Sequence, residues 1–131
     1  MAKDLRIVLS EFTPLPCDAS IQVRQLVYWD KVESKLKIAD HSDPIKGFAI
    51  GMVYTKLDSV TCTILKRGPI SGFSGLDTTK NFWGNDTGTP GSVQTTVPSK
   101  GIKNGHVIQF IGYAIDSETL YLNIDLDPII I

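Results

Sequence analysis

Short runs of β-type residues, separated by glycine and proline, limit this chain to a fold of strands and turns. Eleven glycines and seven prolines divide the sequence into short runs rich in Val, Ile, Thr, Tyr and Phe. Runs of this kind bounded by turn residues are typical of β-strands. Between Asp30 and Asp40 some apolar residues have helical spacing, but the alternation of Leu36 and Ile38 favours a hairpin. The sequence therefore predicts an all-β protein.

The number of short strands also predicts how they are arranged. Many short strands need closure or packing, because otherwise their edges stay free to pair with other chains. We expect a small β-barrel or β-tulip-like sandwich of short antiparallel strands, formed by residues 21–131 as a single β domain. Residues 1–20 are predicted to be an extended N-terminal arm, since Pro14 and Pro16 exclude a helix there.

One short motif occurs twice in the sequence. Gly47-Phe48-Ala49-Ile50 returns as Gly112-Tyr113-Ala114-Ile115, and a polar turn and an alternating strand follow each copy. Two interpretations remain open. The motif is either a coincidence in a β-rich chain or the mark of two pseudo-repeated units, at about residues 24–67 and 75–125, that share one core.

Charge and cysteine content exclude several classes of protein. The chain has 13 basic and 14 acidic residues, with a net charge of −1, and its basic residues are scattered. Binding to nucleic acid through phosphates needs a basic cluster, so we predict no nucleic-acid partner. Cys17 and Cys62 are too few for a disulfide framework and lack metal-ligand spacing, and we expect two reduced thiols.

The first residues of the chain carry charges where a leader or anchor would need an apolar run. Lys3, Asp4 and Arg6 interrupt this segment. We therefore expect no signal peptide and no membrane-spanning segment, no membrane partner, and synthesis in a cytoplasm.

The two histidines are the candidates for acid–base chemistry at neutral pH. His41 lies in Asp40-His41-Ser42-Asp43-Pro44, which could bind a cation but has the order of a solvated turn in which Asp and Ser accept backbone hydrogen bonds. His106 comes directly before an apolar strand, where a surface or packing role is usual. The sequence has neither a Gly-x-Ser-x-Gly elbow nor a phosphate-binding loop. We predict that the protein is not an enzyme, with no catalytic residue, no cofactor and no metal site.

A loop after one aromatic pair has the composition of a sugar-binding surface. Trp83 could stack on a sugar ring while Asn85 and Asp86 bind its hydroxyl groups. The alternative, which we favour, is that Trp83 anchors a core or an interface at a strand end.

The two ends of the sequence suggest contacts with another subunit. Three isoleucines follow Pro128, and an exposed end of this kind favours aggregation, whereas burial of each isoleucine contributes about 1.5–3 kcal/mol. We predict partner or oligomer contacts at five residues: Phe12, Leu15, Ile129, Ile130 and Ile131. The alternative is that the tail folds back onto its own core.

The order of motifs over residues 24–125 carries a family resemblance. The motifs are Leu26-Val-Tyr-Trp-Asp30, Lys35-Leu-Lys-Ile-Ala-Asp40, Gly47-Phe-Ala-Ile-Gly51, Val60-Thr-Cys-Thr-Ile-Leu65, Gly68-Pro-Ile-Ser-Gly72, Asn81-Phe-Trp-Gly84, Val93-Gln-Thr-Thr-Val-Pro98, Val107-Ile-Gln-Phe-Ile-Gly-Tyr-Ala-Ile115 and Thr119-Leu-Tyr-Leu-Asn123. This order resembles the small β domain of capsid decoration (cement) proteins of tailed phages, and also domains of head fibres and tail fibre tips. The family usually has Thr-Pro-Gly where this chain has Asp77-Thr-Thr-Lys80.

The resemblance implies a structural protein of the virion without catalysis. It implies self-association, commonly as a homotrimer, with the major capsid protein as partner and the outer capsid surface as location. The alternative within the same resemblance is a head-fibre or tail-fibre tip that binds a host surface glycan, with Trp83, Asn85 and Asp86 at the site. The resemblance itself transfers no site residue, and these three residues are chosen for their side-chain chemistry.

Overall fold

The computed structural model of the protein describes residues 13–98 and 105–130. These residues form twelve strands and no helix, and all strand ladders are antiparallel. The prediction of an all-β protein is confirmed. The described segments contain no helix with the length and apolarity needed to span a bilayer.

The first sheet has five strands in the order β1-β5-β4-β2-β3. Their bounds are β1 Leu15–Pro16, β2 Leu26–Asp30, β3 Lys35–Ile38, β4 Gly51–Asp58 and β5 Thr61–Leu65. The turn between β2 and β3 begins with Asp30, whose Oδ1 accepts hydrogen bonds from the backbone N–H groups of Val32 and Glu33. The predicted hairpin between Asp30 and Asp40 is therefore confirmed, because this side chain closes the turn that a helix would have continued through.

The second sheet also has five strands, in the order β6-β11-β10-β7-β8. Their bounds are β6 Arg67–Ser71, β7 Asn81–Gly84, β8 Val93–Gln94, β10 Phe110–Ala114 and β11 Thr119–Asn123. A third, two-stranded sheet pairs β9 (Val107–Ile108) with β12 (Ile129–Ile130).

The two large sheets have the same strand order along the chain. The second sheet contains β6, β7, β8, β10 and β11, which can be numbered from one to five in that order. With this numbering, the strands of both sheets lie in the order first, fifth, fourth, second, third. Most of the second copy of the repeated motif lies in β10, which ends at Ala114, whereas the whole first copy precedes the corresponding strand β4. The five strands of the first sheet end at Leu65, and the strands of the second sheet begin at Arg67. The pseudo-repeat itself stays a prediction.

The central strands of the first sheet have buried side chains on both faces. Leu26, Met52 and Leu65 belong to a cluster that includes residues of the second sheet, such as Ile111 and Leu122. Their chain neighbours belong to another cluster, formed within the first sheet: Val27, Val53 and Ile64. Since successive side chains of a strand point to opposite faces, one face packs on the second sheet and the other closes on itself. This arrangement is consistent with a sandwich.

The predicted barrel is not formed by the described residues. The edge strands β1 and β3 of the first sheet approach each other at one parallel bridge, between Cys17 and Leu36. A single bridge is not a ladder, so the first sheet is curled without being a closed barrel. The need to protect free edges, which favoured a barrel, is met in the first sheet by this approach of its two edge strands.

The predicted separate arm is wrong for residues 13–20. Leu15 and Pro16 pair with β5, and Cys17 is buried, with its N–H donating to the carbonyl of Val60 over 2.9 Å. The prolines do exclude a helix, but an extended path is also the path of an edge strand, where the missing N–H of Pro16 is tolerated. Residues 1–12, the other part of the predicted arm, lie outside the described residues.

Candidate functional site

A groove of about 730 Å³ lies beside the β2–β3 turn. One wall is that turn and the other is the loop of residues 43–50, while Tyr28 and Trp29 of β2 lie between them. This volume is within the range of about 300–1,000 Å³ that is usual for ligand pockets.

The groove is lined by apolar side chains that are unusually exposed. Val32 is 92% exposed and Ile45 is 79% exposed, and the neighbouring ring of Phe48 is also exposed. Single exposed apolar residues are normal on a protein surface, but clustered ones mark interaction sites.

Aspartate side chains fix the backbone of both groove walls. Asp43 Oδ1 accepts hydrogen bonds from the N–H groups of Ile45, at 2.8 Å, and Lys46, at 2.9 Å. These N–H donors lower the pKa of the Asp43 carboxyl, so it is ionised at neutral pH. On the other wall, Asp30 closes the turn that carries Val32. Ile45 and Val32 are therefore held outward by ordered turns.

Three of the five residues predicted to contact a partner lie in the described ranges, and they fall into two groups. Ile129 and Ile130 pair with β9, yet each remains 55% exposed, so the tail is attached to the protein without being buried in it. Leu15 is half-buried in β1 and packs against the inner cluster of the first sheet. Phe12 and Ile131 lie outside the described residues. Contact of these five residues with a partner stays a prediction.

The predicted sugar-binding residues use their polar groups within the protein. Asn85 Oδ1 accepts from the N–H groups of Thr87 and Gly88, and its amide donates to Ser92 Oγ. Trp83 is half-buried and makes an edge-to-face contact with Phe110, with ring centroids 5.6 Å apart. This geometry agrees with the anchoring role of Trp83. A glycan site at these residues stays a prediction that no contact described here favours.

Asp86 is buried, and its carboxylate lies within ion-pair distance of the His106 imidazole. Its Oδ2 lies 2.8 Å from His106 Nδ1, and its Oδ1 accepts from Gln94 Nε2 at 3.0 Å. Burial opposes the charged form of Asp86, but the hydrogen bonds from His106 and Gln94 outweigh it and lower the pKa of the carboxyl. The carboxylate thus joins the end of β7, β8 and the segment before β9.

His41 is fully buried, which corrects the prediction of a solvated turn for this residue. The adjacent aspartates do behave as predicted, since Asp40 accepts from the backbone and side chain of Ser42 and Asp43 accepts from its own turn. The imidazole instead turns inward, where its Nε2 lies 2.7 Å from Gln109 Oε1. Burial lowers the pKa of His41, because hydrogen bonding to Gln109 offsets the lost solvation only in part.

The two cysteines, distant in sequence, come together in the first sheet. Both are buried and free, and Cys62 pairs with Leu15 two residues before Cys17. Burial, together with a hydrogen bond to Cys17, raises the pKa of the Cys62 thiol to about 12. This thiol is therefore protonated and unreactive in the folded protein.

The two imidazoles are used in hydrogen bonds within the protein. The ring hydrogen bonds of His41 and His106 go to Gln109 and Asp86. Among the described segments, no group of three or more His, Cys, Asp or Glu side chains is placed to hold a metal ion. Comparison with protein-family models, curated proteins and solved structures found no match.

The groove was not predicted from the sequence, although the sequence contains a local signal for it. Val32 lies in a polar turn and Ile45 follows Pro44, so each apolar residue stands among residues that mark exposed turns. An aliphatic side chain in such a turn has no strand face on which to be buried. The inward turn of His41 had no such signal, because its partner Gln109 lies 68 positions away.

Proposed function

We propose that this protein is a structural component of a phage virion, a capsid decoration protein that binds the outer surface of the head as an oligomer and stabilises the shell. The observation that supports a protein-binding role is the exposed apolar surface of the groove and tail. A contact of this kind needs no net charge, and the chain has a net charge of only −1. The phage assignment rests on the family resemblance of the sequence.

Stabilisation of the shell would follow from binding equilibrium. A ligand that binds the assembled, expanded shell and not its separated subunits lowers the free energy of the assembled state by mass action. At a free concentration one hundred times the dissociation constant, each occupied site contributes about 2.7 kcal/mol. Since a shell offers many sites, modest affinity at each one is sufficient.

Co-sedimentation with purified shells tests this function. The full chain is incubated with expanded, undecorated shells and, as the matched control, with unexpanded shells of the same phage. We expect the protein to pellet with the expanded shells only and to raise the temperature at which they rupture. Failure to pellet with expanded shells, at concentrations up to about 100 µM, would contradict the proposed function.

The glycan-binding alternative predicts a different result. A fibre tip would adsorb to host cells as an isolated protein, and adsorption would be lost in Trp83→Ala. Binding to cells without binding to shells would replace the decoration function with this one.

A further inference from the structure

We propose that the groove of one copy binds the tail segment, residues 126–130, of a second copy. This inference deepens the proposed function, which requires copies of the chain to associate, because it names the surfaces that meet. It is drawn from the charges and exposed apolar side chains at the two surfaces.

The groove carries a positive charge without a partner at Lys31. Lys31 lines the groove and forms no salt bridge with any residue that the structure describes. Lys46 also lines the groove, but it lies near the ionised carboxylate of Asp43 and helps to lower the pKa of that group. Asp30 pairs with Lys37 at 3.0 Å. A partner would therefore meet apolar side chains beside the ammonium group of Lys31.

The tail segment has the complementary chemistry. Leu126, Ile129 and Ile130 are each at least half exposed. Asp127 lies between them and makes no salt bridge within the described ranges. The carboxylate of Asp125 accepts the N–H of Asp127, which fixes the turn before β12. The segment thus presents aliphatic side chains together with an unpaired negative charge.

The tail does not occupy the groove of its own copy. Its strand β12 pairs with β9, Ile129 opposite Ile108 and Ile130 opposite Val107, and neither isoleucine of the tail lines the groove. Occupation of the groove therefore needs a second copy. Each copy supplies one groove and one tail, so a reciprocal pair or a closed ring fills all of them, whereas an open chain would leave two unfilled.

Burial of these side chains is the main source of the expected affinity. Each aliphatic side chain removed from water contributes about 1.5–3 kcal/mol before the cost of association is subtracted. The pairing of lysine with aspartate at the rim adds orientation and a dependence on salt more than affinity.

The solution mass of the full chain tests the inference. We expect light scattering to give a multiple of the 14.4 kDa mass of one copy at about 50 µM. Ile45→Asp removes the groove contact and Ile130→Asp removes the tail contact, and each should give the mass of one copy. Leu57→Asp is the matched control, because Leu57 is about as exposed as Ile130 but lies on β4, outside both surfaces, and it should keep the mass of the wild type.

Mixing the two disabled variants separates this contact from a contact of groove with groove. Ile45→Asp retains an intact tail and Ile130→Asp retains an intact groove, so a 1:1 mixture should form mixed pairs although neither variant associates alone. Far-ultraviolet circular dichroism confirms that each variant is folded, and Ile45→Ser with Ile130→Ser repeats the test if an aspartate variant unfolds.

Three results would overturn the inference: a monomeric wild type, an unchanged mass in both variants, or no association in the mixture. The proposed function is judged separately by shell binding. An oligomer that does not bind shells would refute the proposed function and leave this contact standing. A monomer that binds shells would refute this contact and leave the proposed function standing.

Discussion

His41 and Gln109 form a fully buried hydrogen bond, in which imidazole Nε2 donates to the side-chain oxygen over 2.7 Å. The tautomer follows from the other partners of Gln109. Its amide nitrogen donates to the carbonyl oxygens of Ala49 and Asp125, and its oxygen also accepts the N–H of Ala49. Because that oxygen only accepts, His41 carries its proton on Nε2, and its Nδ1 has no hydrogen-bond partner among the described residues.

Gln109 should be among the most sensitive positions of the chain. Gln109→Ala leaves four polar groups without their partner, three of them on buried residues, and opens a cavity, and we expect a loss of about 2–4 kcal/mol in the free energy of unfolding. Gln22→Ala is the control, since Gln22 is exposed, and it should change this free energy by less than about 0.5 kcal/mol. Urea unfolding followed by tryptophan fluorescence measures both. Equal stability of the two variants would contradict the prediction.

The buried imidazole should make stability depend on pH below neutrality. The pKa of His41 is lowered in the folded protein, so the unfolded chain binds more protons and the free energy of unfolding rises with pH. Stability is complete above the ordinary histidine value of about 6.5 and falls as the pH drops below it. We expect a lower melting temperature at pH 5.5 than at pH 7.5.

His41→Gln provides the control for this pH dependence. The glutamine amide keeps a donor toward Gln109 but does not titrate. The variant should melt at a lower temperature than the wild type at pH 7.5 and show a smaller further change at pH 5.5. An equal shift in wild type and variant would assign the pH dependence to other groups.

The fold class was readable from the sequence because strand alternation and turn residues are local signals. The alternation of Leu36 and Ile38 favoured a hairpin and depends only on neighbouring residues. The structure has this hairpin, formed by β2 and β3. The curling of the first sheet depends on the bridge between Cys17 and Leu36, which joins residues 19 positions apart and has no local pattern. The same absence of a local signal led to the prediction of a separate arm.

Of the two surfaces proposed to bind a partner, only the tail was predictable from the sequence. Three isoleucines in succession at 129–131 form a local feature, and the two that we describe are half exposed. The groove needs the β2–β3 turn and the loop of residues 43–50 to face each other, which the hairpin and β4 bring about. Its free positive charge depends on which lysines lie near Asp30 and Asp43, and this is a matter of side-chain geometry.

Gly112 should not tolerate a side chain. A Cβ at this position would lie 2.1 Å from the backbone oxygen of Tyr121 on β11, which cannot move without disturbing the pairing of Gly112 with Leu122. We expect Gly112→Ala to lower the free energy of unfolding by about 3 kcal/mol. Gly75→Ala is the comparison, because nothing lies within 4 Å of its Cβ and only its φ of +67° opposes a side chain. It should cost about 1–2 kcal/mol, and the reverse order in urea unfolding would contradict the prediction.

Cys62 should be inert until the protein unfolds. Its thiol is buried, and its pKa is raised to about 12, so almost none of the nucleophilic thiolate is present at pH 8. We expect a chromogenic disulfide reagent to modify Cys62 at least about a thousandfold more slowly than an ordinary exposed thiol. Ser117→Cys supplies that exposed thiol on the turn before β11 and should react at once. Since the native thiols then react only as fast as the fold opens, addition of urea should raise their rate in step with the fraction of unfolded protein. Rapid reaction of Cys62 in native buffer would show that the β1 edge of the first sheet opens readily.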